Sequence, residues 1–209
     1  MKTVVIYGDS NTHGTLPIEV LGESKRIAKG QRYPDILAAE LGAGVEVIAE
    51  GLPARTTVLD DPIDGPHLNG LTILPAILNT HKPIDLLVLM LGTNDIKHRM
   101  GARANEVANG VQRLVKEARN SETCADILIV APVPIQEIGS LTEEFAGAEQ
   151  RQIGTAEKLA QVAAAWGCGF FDAGTVAQVD PIDGVHMNAE NIAKIGYSLA
   201  PVIRARLGL

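Results

Sequence analysis

Short apolar runs recur along the chain, separated by helix-length amphipathic segments. The runs lie at residues 3–7, 45–50, 84–91, 126–131 and 169–172. Each has the length of a strand. Residues 84–91 are apolar almost throughout, the pattern of a strand covered on both faces. Between the runs, residues 33–41, 71–80, 104–119, 142–166 and 189–207 predict helices. In the fourth, Leu159, Val162, Ala163 and Trp166 fall at helical spacing, and Ser140 with Glu143 predicts a capping box ahead of it. Such alternation implies right-handed crossovers and a parallel sheet with helices on both faces, an α/β fold. There is no internal repeat, low-complexity tract or linker, so residues 1–209 read as one domain. Two long connections, 11–32 and 51–68, leave the carboxyl ends of the first two strands. Open α/β sheets place their ligands there.

Composition narrows the picture. Hydrophobic residues make up 46% of the chain but aromatics only 3%, so the core must be aliphatic. A formal charge of -7 argues against nucleic acid or an anionic membrane surface as partner. No apolar run is long enough to span a bilayer. The first apolar run is too short for a signal-peptide core, so a cytoplasmic protein is expected. In that setting Cys124 and Cys168 are expected as buried free thiols rather than a disulfide.

Four segments then converge on one sheet edge. Gly8-Asp9-Ser10-Asn11 follows the first run and Gly51 the second. Gly92-Thr93-Asn94-Asp95 follows the third, and Asp183-Gly-Val-His186 follows the last. A serine hydroxyl is a poor nucleophile unless a base removes its proton, and a carboxylate improves that base by orienting it. Ser10, His186 and Asp183 supply those three parts. Ester chemistry also needs donors fixed around the developing oxyanion. The backbone N–H groups of Ser10 and Gly51 and the amide of Asn94 could fill that role. Taken singly, each segment reads as well as a plain turn or helix cap. Gly8–Asn11 lacks the lysine of a P-loop and the spacing of a dinucleotide fingerprint.

Together, in this order, the four segments resemble the blocks of the SGNH (GDSL) hydrolases and span nearly the whole chain. The resemblance implies a flavodoxin-like three-layer α/β/α sandwich with a central five-stranded parallel sheet. It also implies metal-independent ester hydrolysis without a cofactor, through Ser10, Asp183 and His186, with an oxyanion hole from Ser10, Gly51 and Asn94. Glu50-Gly-Leu-Pro-Ala-Arg-Thr-Thr57 and Leu91-Gly-Thr-Asn-Asp-Ile-Lys97 are similar to the arylesterase and acyltransferase branch. That branch implies short acyl groups and a homo-oligomer, from dimer to octamer. Members of it include acetyl-carbohydrate esterases, so deacetylation of sugars is an alternative. A non-catalytic flavodoxin-like binding module is the alternative from another class. The branch often has aromatic residues soon after the nucleophile; here the run is Asn11-Thr-His-Gly-Thr15.

The remaining polar residues read as follows. Asn11, His13 and Pro53 are candidates for substrate contact. Asp9 and Asp95 read as turn-holding carboxylates. Asp60, Asp61, Asp64 and His67 read as a solvated loop rather than a metal site. His81 and His98 read as surface residues. Arg55 has Glu50, Asp60 or a subunit contact as possible partners. Leu16-Pro-Ile18 with Val20-Leu21 forms an apolar patch suited to a neighbouring subunit or to folding back on its own domain.

Overall fold

The computed structural model describes residues 1–209. Five strands form one sheet: β1 (Lys2–Gly8), β2 (Val45–Gly51), β3 (Ile84–Met90), β4 (Cys124–Ala131) and β5 (Gly169–Asp172). All neighbours are parallel, in the order β2-β1-β3-β4-β5. The helices are α1 (Ser10–His13), α2 (Tyr33–Leu41), α3 (Gly70–His81), α4 (Ala104–Asn120), α5 (Ala148–Arg151), α6 (Thr155–Trp166) and α7 (Ala189–Leu207).

Strand periodicity builds two cores. Val4, Ile6, Leu86, Val88 and Met90 face α2 and α7, whose Leu37, Ile195 and Leu199 are buried among them. The alternate residues Val5, Tyr7, Leu87 and Leu89 face α3, α4 and α6 through Leu74, Leu114 and Leu159. Because both sheet faces are covered, β1 and β3 are apolar at successive positions, as their sequence predicts. A third, smaller cluster, including Ile96, Leu141, Phe145 and Val185, lies beyond the strand ends. No helix is long and apolar enough to cross a membrane. Cys124 and Cys168 are unpaired, but half-buried rather than buried.

The predicted helix at 142–166 is broken. Gly147 and Gly154 adopt left-handed φ values of 78° and 83°. This conformation ends a right-handed helix, so α5 and α6 are separate. The expected capping box is absent. Ser140 Oγ instead donates to the carbonyl of Ile18, across the molecule. That bond pins the 11–32 connection.

The 51–68 connection is pinned by Asp95, which is buried. It accepts the backbone N–H of Thr57 at 3.0 Å and also its hydroxyl. Thr57 in turn seats against Gly110 of α4, where a Cβ would lie 2.1 Å from Thr57 Oγ1. Burial pushes the Asp95 carboxyl up to about 6, against the lowering pull of the Thr57 hydrogen bonds.

Two outcomes follow. Alanine at Gly110 would normally favour the helix, but here the clash dominates. Gly110→Ala should lower unfolding free energy in urea by about 1–3 kcal/mol; a gain in stability would show that α4 slides freely past Thr57. Asp95 has a raised folded pKa, so its ionisation opposes folding as pH rises from the ordinary carboxylate range through 6. The stability of wild type relative to Asp95→Asn should therefore fall by about 2 kcal/mol between pH 4 and pH 7. A pH-independent difference between the two proteins would contradict this.

Candidate active site

Ser10 is the first residue of α1, immediately beyond β1. Asp9 caps this helix, accepting the N–H of Asn11 at 3.0 Å. Gly8 makes room for the turn, since a Cβ there would lie 2.0 Å from Thr12 Oγ1. Asp9 is buried, and burial pushes its carboxyl up to about 6, opposed chiefly by the Asn11 N–H.

The segment before α7 reaches the same place. Asp183 is fully buried and accepts backbone N–H groups from Val185 at 2.9 Å and His186 at 2.8 Å. Its other oxygen accepts the N–H of Ile18 at 2.8 Å and lies 2.6 Å from His186 Nδ1. Burial alone would raise this carboxyl. The hydrogen bond and charge of His186, with the backbone donors, hold it below its ordinary value. His186 Nε2 lies 3.0 Å from Ser10 Oγ. Ser10, His186 and Asp183 thus form one continuous hydrogen-bonded chain, although Ser10 and His186 stand 176 positions apart.

Asn94 and the turn after β2 complete this edge. Asn94 Nδ2 donates to the carbonyl of Arg55 at 3.0 Å, which leaves its second N–H for the cavity it lines. Residues 52–55 form a turn closed by Arg55 N–H to Leu52 carbonyl at 3.1 Å, with Ala54 at φ 65°. This is the second central position of a type II turn, which glycine normally takes. Ala54 stands on the cavity wall, and its N–H has no partner in the chain. Arg55 pairs with neither Glu50 nor Asp60 through their carboxylates. It donates to the carbonyls of Gly8 (2.9 Å) and Glu50, and lies 4.1 Å from the Tyr7 ring centroid. The Glu50 carboxylate instead meets His81 Nε2 at 2.7 Å, so His81 is half-buried, whereas His98 is exposed.

A cavity of about 240 Å³ opens on Ser10, Asn94 and His186. Of the residues expected to contact substrate, Pro53 lines it; Asn11 and His13 do not. The single turn of α1 rotates each residue about 100° from the last, so Asn11 is carried off the Ser10 face and buried. His13 bonds Thr15 Oγ1 at 3.2 Å, and burial with nearby Arg26 and Arg32 lowers its imidazole pKa. Gly51 is also off the wall. Its Cα packs on α1, where a Cβ would lie 2.4 Å from His13 N, so glycine there lets α1 sit close to β2.

Sequence reasoning missed the charged part of the wall. Lys97, Glu144, Asp64 and Ser24 line the same cavity. Only Lys97 carried a signal, as the end of the Leu91–Lys97 motif. The expectation of a solvated 60–67 loop fails at Asp61, which is buried. Asp61 accepts from Arg99 at 2.7 Å and from the N–H groups of Ile63 and Asp64. Burial opposes its ionisation, but these donors hold it down at about 2.

The GDSL-like lipase/acylhydrolase family model matches residues 6–190. No curated protein matches the chain. Among solved structures, an aryl esterase of M. smegmatis in inhibitor-bound form superposes with TM-score 0.93 at 36% identity, covering 98% of this chain and 99% of that one. A carbohydrate acetylesterase family member from Sinorhizobium meliloti gives 0.92 at 41% identity over 100% of both chains. Another carbohydrate acetylesterase from the same organism gives 0.93 at 35%, over 98% of this chain and 99% of that one. With the family model covering most of its length, the chain belongs to the GDSL-like lipase/acylhydrolase family.

Proposed function

We propose that the chain is a serine esterase for small, short-acyl esters. The observation that carries this reading is the buried hydrogen-bonded chain from Asp183 through His186 to Ser10. Asp183 holds the proton on Nδ1, which leaves Nε2 as the base. Ser10 Oγ attacks the ester carbonyl as its proton passes to Nε2. The carbonyl oxygen then carries negative charge. The Asn94 side chain, the unpartnered Ala54 N–H and the first N–H of α1, at Ser10, are the donors available to it. Gly51, assigned as a donor from sequence, acts here by letting α1 approach. Collapse of the intermediate breaks the C–O bond, and His186 returns its proton to the departing alcohol. Water, or a second alcohol, then attacks the acyl-enzyme by the same route in reverse, and Ser10 regains its proton.

The cavity volume of about 240 Å³ supports a small substrate; pockets for drug-sized ligands start at roughly 300 Å³. The similar structures, an aryl esterase and a carbohydrate acetylesterase by name, agree with it. A purely binding module would have no use for a base aligned on a serine.

A homo-oligomer also belongs to this reading. Leu16 and Ile18 fold back against their own chain, but Val20 and Leu21 stay exposed, as does Ile63 on the other long connection. Exposed aliphatic side chains on both connections beside the cavity suit burial against a second copy.

Two measurements test these points. Ser10→Ala and His186→Ala should each lower p-nitrophenyl acetate turnover by at least about 10³-fold, since members of such a chain act as a unit. A wild-type rate in either variant would remove that residue from the mechanism. Light scattering after size exclusion should give a mass of at least two chains; a clean monomer would refute the oligomer.

A further inference from the structure

The three donors available to the oxyanion stand on three separate segments, and one residue is joined to each of those segments. Arg55 is buried, 3% exposed, in the turn that follows β2. Its carbonyl accepts one N–H of the Asn94 amide at 3.0 Å. An amide is planar, so holding one N–H sets the line of the other. Its backbone N–H closes the 52–55 turn on the Leu52 carbonyl at 3.1 Å, with Ala54 at φ 65° inside that turn. Its Nη1 donates to the Gly8 carbonyl at 2.9 Å, two residues before Ser10. The Leu52 N–H binds the same carbonyl at 3.1 Å. The turn after β2 is therefore joined at two points to the end of β1, where α1 begins.

Both acceptors of the guanidinium are carbonyls, those of Gly8 and Glu50. Its Nε is buried without an acceptor, and its central carbon lies 4.1 Å from the Tyr7 ring centroid. Burial pulls its pKa down despite nearby Tyr7, Glu50 and Asp9. Packing on Tyr7 does not require a charge, since an uncharged side chain would cover the ring without desolvating a cation. What the charge adds is strength: a hydrogen bond from a cation is about twice as strong as a neutral one. Those bonds fix the ends of β1 and β2 against each other, beside the Ser10 and Ala54 donors.

We propose that Arg55 is the positioning residue of the oxyanion hole. It holds the Ser10, Ala54 and Asn94 donors in one arrangement before the ester arrives, and it acts on the rate only through them. Donors fixed in advance cost no reorganisation when the charge develops, so loosening them lowers the rate even where each donor is still present. This rests on the esterase reading and adds the residue on which its donors depend.

The test is a double-mutant cycle on p-nitrophenyl acetate turnover. Asn94→Ala should lower kcat by about 10²–10³-fold, the cost of one such donor, and Arg55→Met by about 10²-fold. Acylation and deacylation both pass through an oxyanion, so KM should stay within about twofold of wild type. The loss in the double variant should fall short of the product of the two single losses by about tenfold or more, because both changes act on the same donor. A residue that only supports the fold lowers the fraction of active protein, and its loss multiplies with that of Asn94→Ala. A shortfall under about tenfold would therefore overturn the proposal. So would a wild-type kcat in Arg55→Met, or a loss carried by KM alone. Should Arg55→Met give no cooperative thermal melt, Arg55→Gln, uncharged and too short to join the two carbonyls, runs the same cycle against the same criterion. If wild type does not hydrolyse the ester, the esterase reading fails first. If Ser10→Ala is inert and Arg55→Met is unimpaired, that reading stands and this one falls.

Discussion

The Asp183 carboxylate accepts four hydrogen bonds, and the site depends on them. Val185 and His186 supply two through their backbone, which folds the 183–186 turn on itself. His186 Nδ1 supplies the third, which fixes the ring. Ile18 supplies the fourth from a connection 165 positions away, and so ties one wall of the cavity to the base. One buried charge thereby sets the imidazole orientation and places the loop beside it. Ionised Asp183 is affordable without solvent because all four donors converge on it.

The neighbouring edge is built on a different balance. Asp9 and Asp95 are both buried, and both are pushed up to about 6 because burial outweighs their hydrogen bonds. Each holds backbone in place: Asp9 the start of α1, Asp95 the 51–68 connection. Arg55 closes the same edge by binding the carbonyls that end β1 and β2, while its own carbonyl orients Asn94. Ala54 sits in a left-handed conformation within that turn, at a cost of roughly 1–2 kcal/mol for a residue with a Cβ. The strand ends thus carry buried charge and backbone strain that would destabilise an ordinary sheet edge. Groups held in this way are fixed before any ligand arrives, which is what stabilisation of a developing charge requires. The two sheet-covering cores are almost wholly apolar and supply the stability against which this edge is drawn.

Apolar runs and their spacing determined the sheet, its parallel sense and the helices α2, α3, α4 and α7, because burial on two faces imposes hydrophobicity at every strand position. The residues of the hydrogen-bonded chain were legible for a related reason: Ser10 opens α1 directly beyond β1, and Asp183 and His186 set a carboxylate three residues before an imidazole in the short segment ahead of α7. The break between α5 and α6 was not legible, since glycine is tolerated within a helix and only the packing around residues 135–157 commits Gly147 and Gly154 to left-handed backbone. Tertiary structure alone decided the cavity wall. Lys97, Glu144 and Asp64 come from three connections whose mutual approach no local pattern encodes; Asn11 left the wall because helix rotation carried it off the Ser10 face, and the His13 ring is held by Thr15 instead. Ala54, and not Gly51, reached it because a closed turn carried the chain two residues past the strand. The sequence by itself determined which chemical groups reach this edge; only the folded loops decided which of them face the cavity, because side-chain direction in a loop is set by contacts distant in the chain.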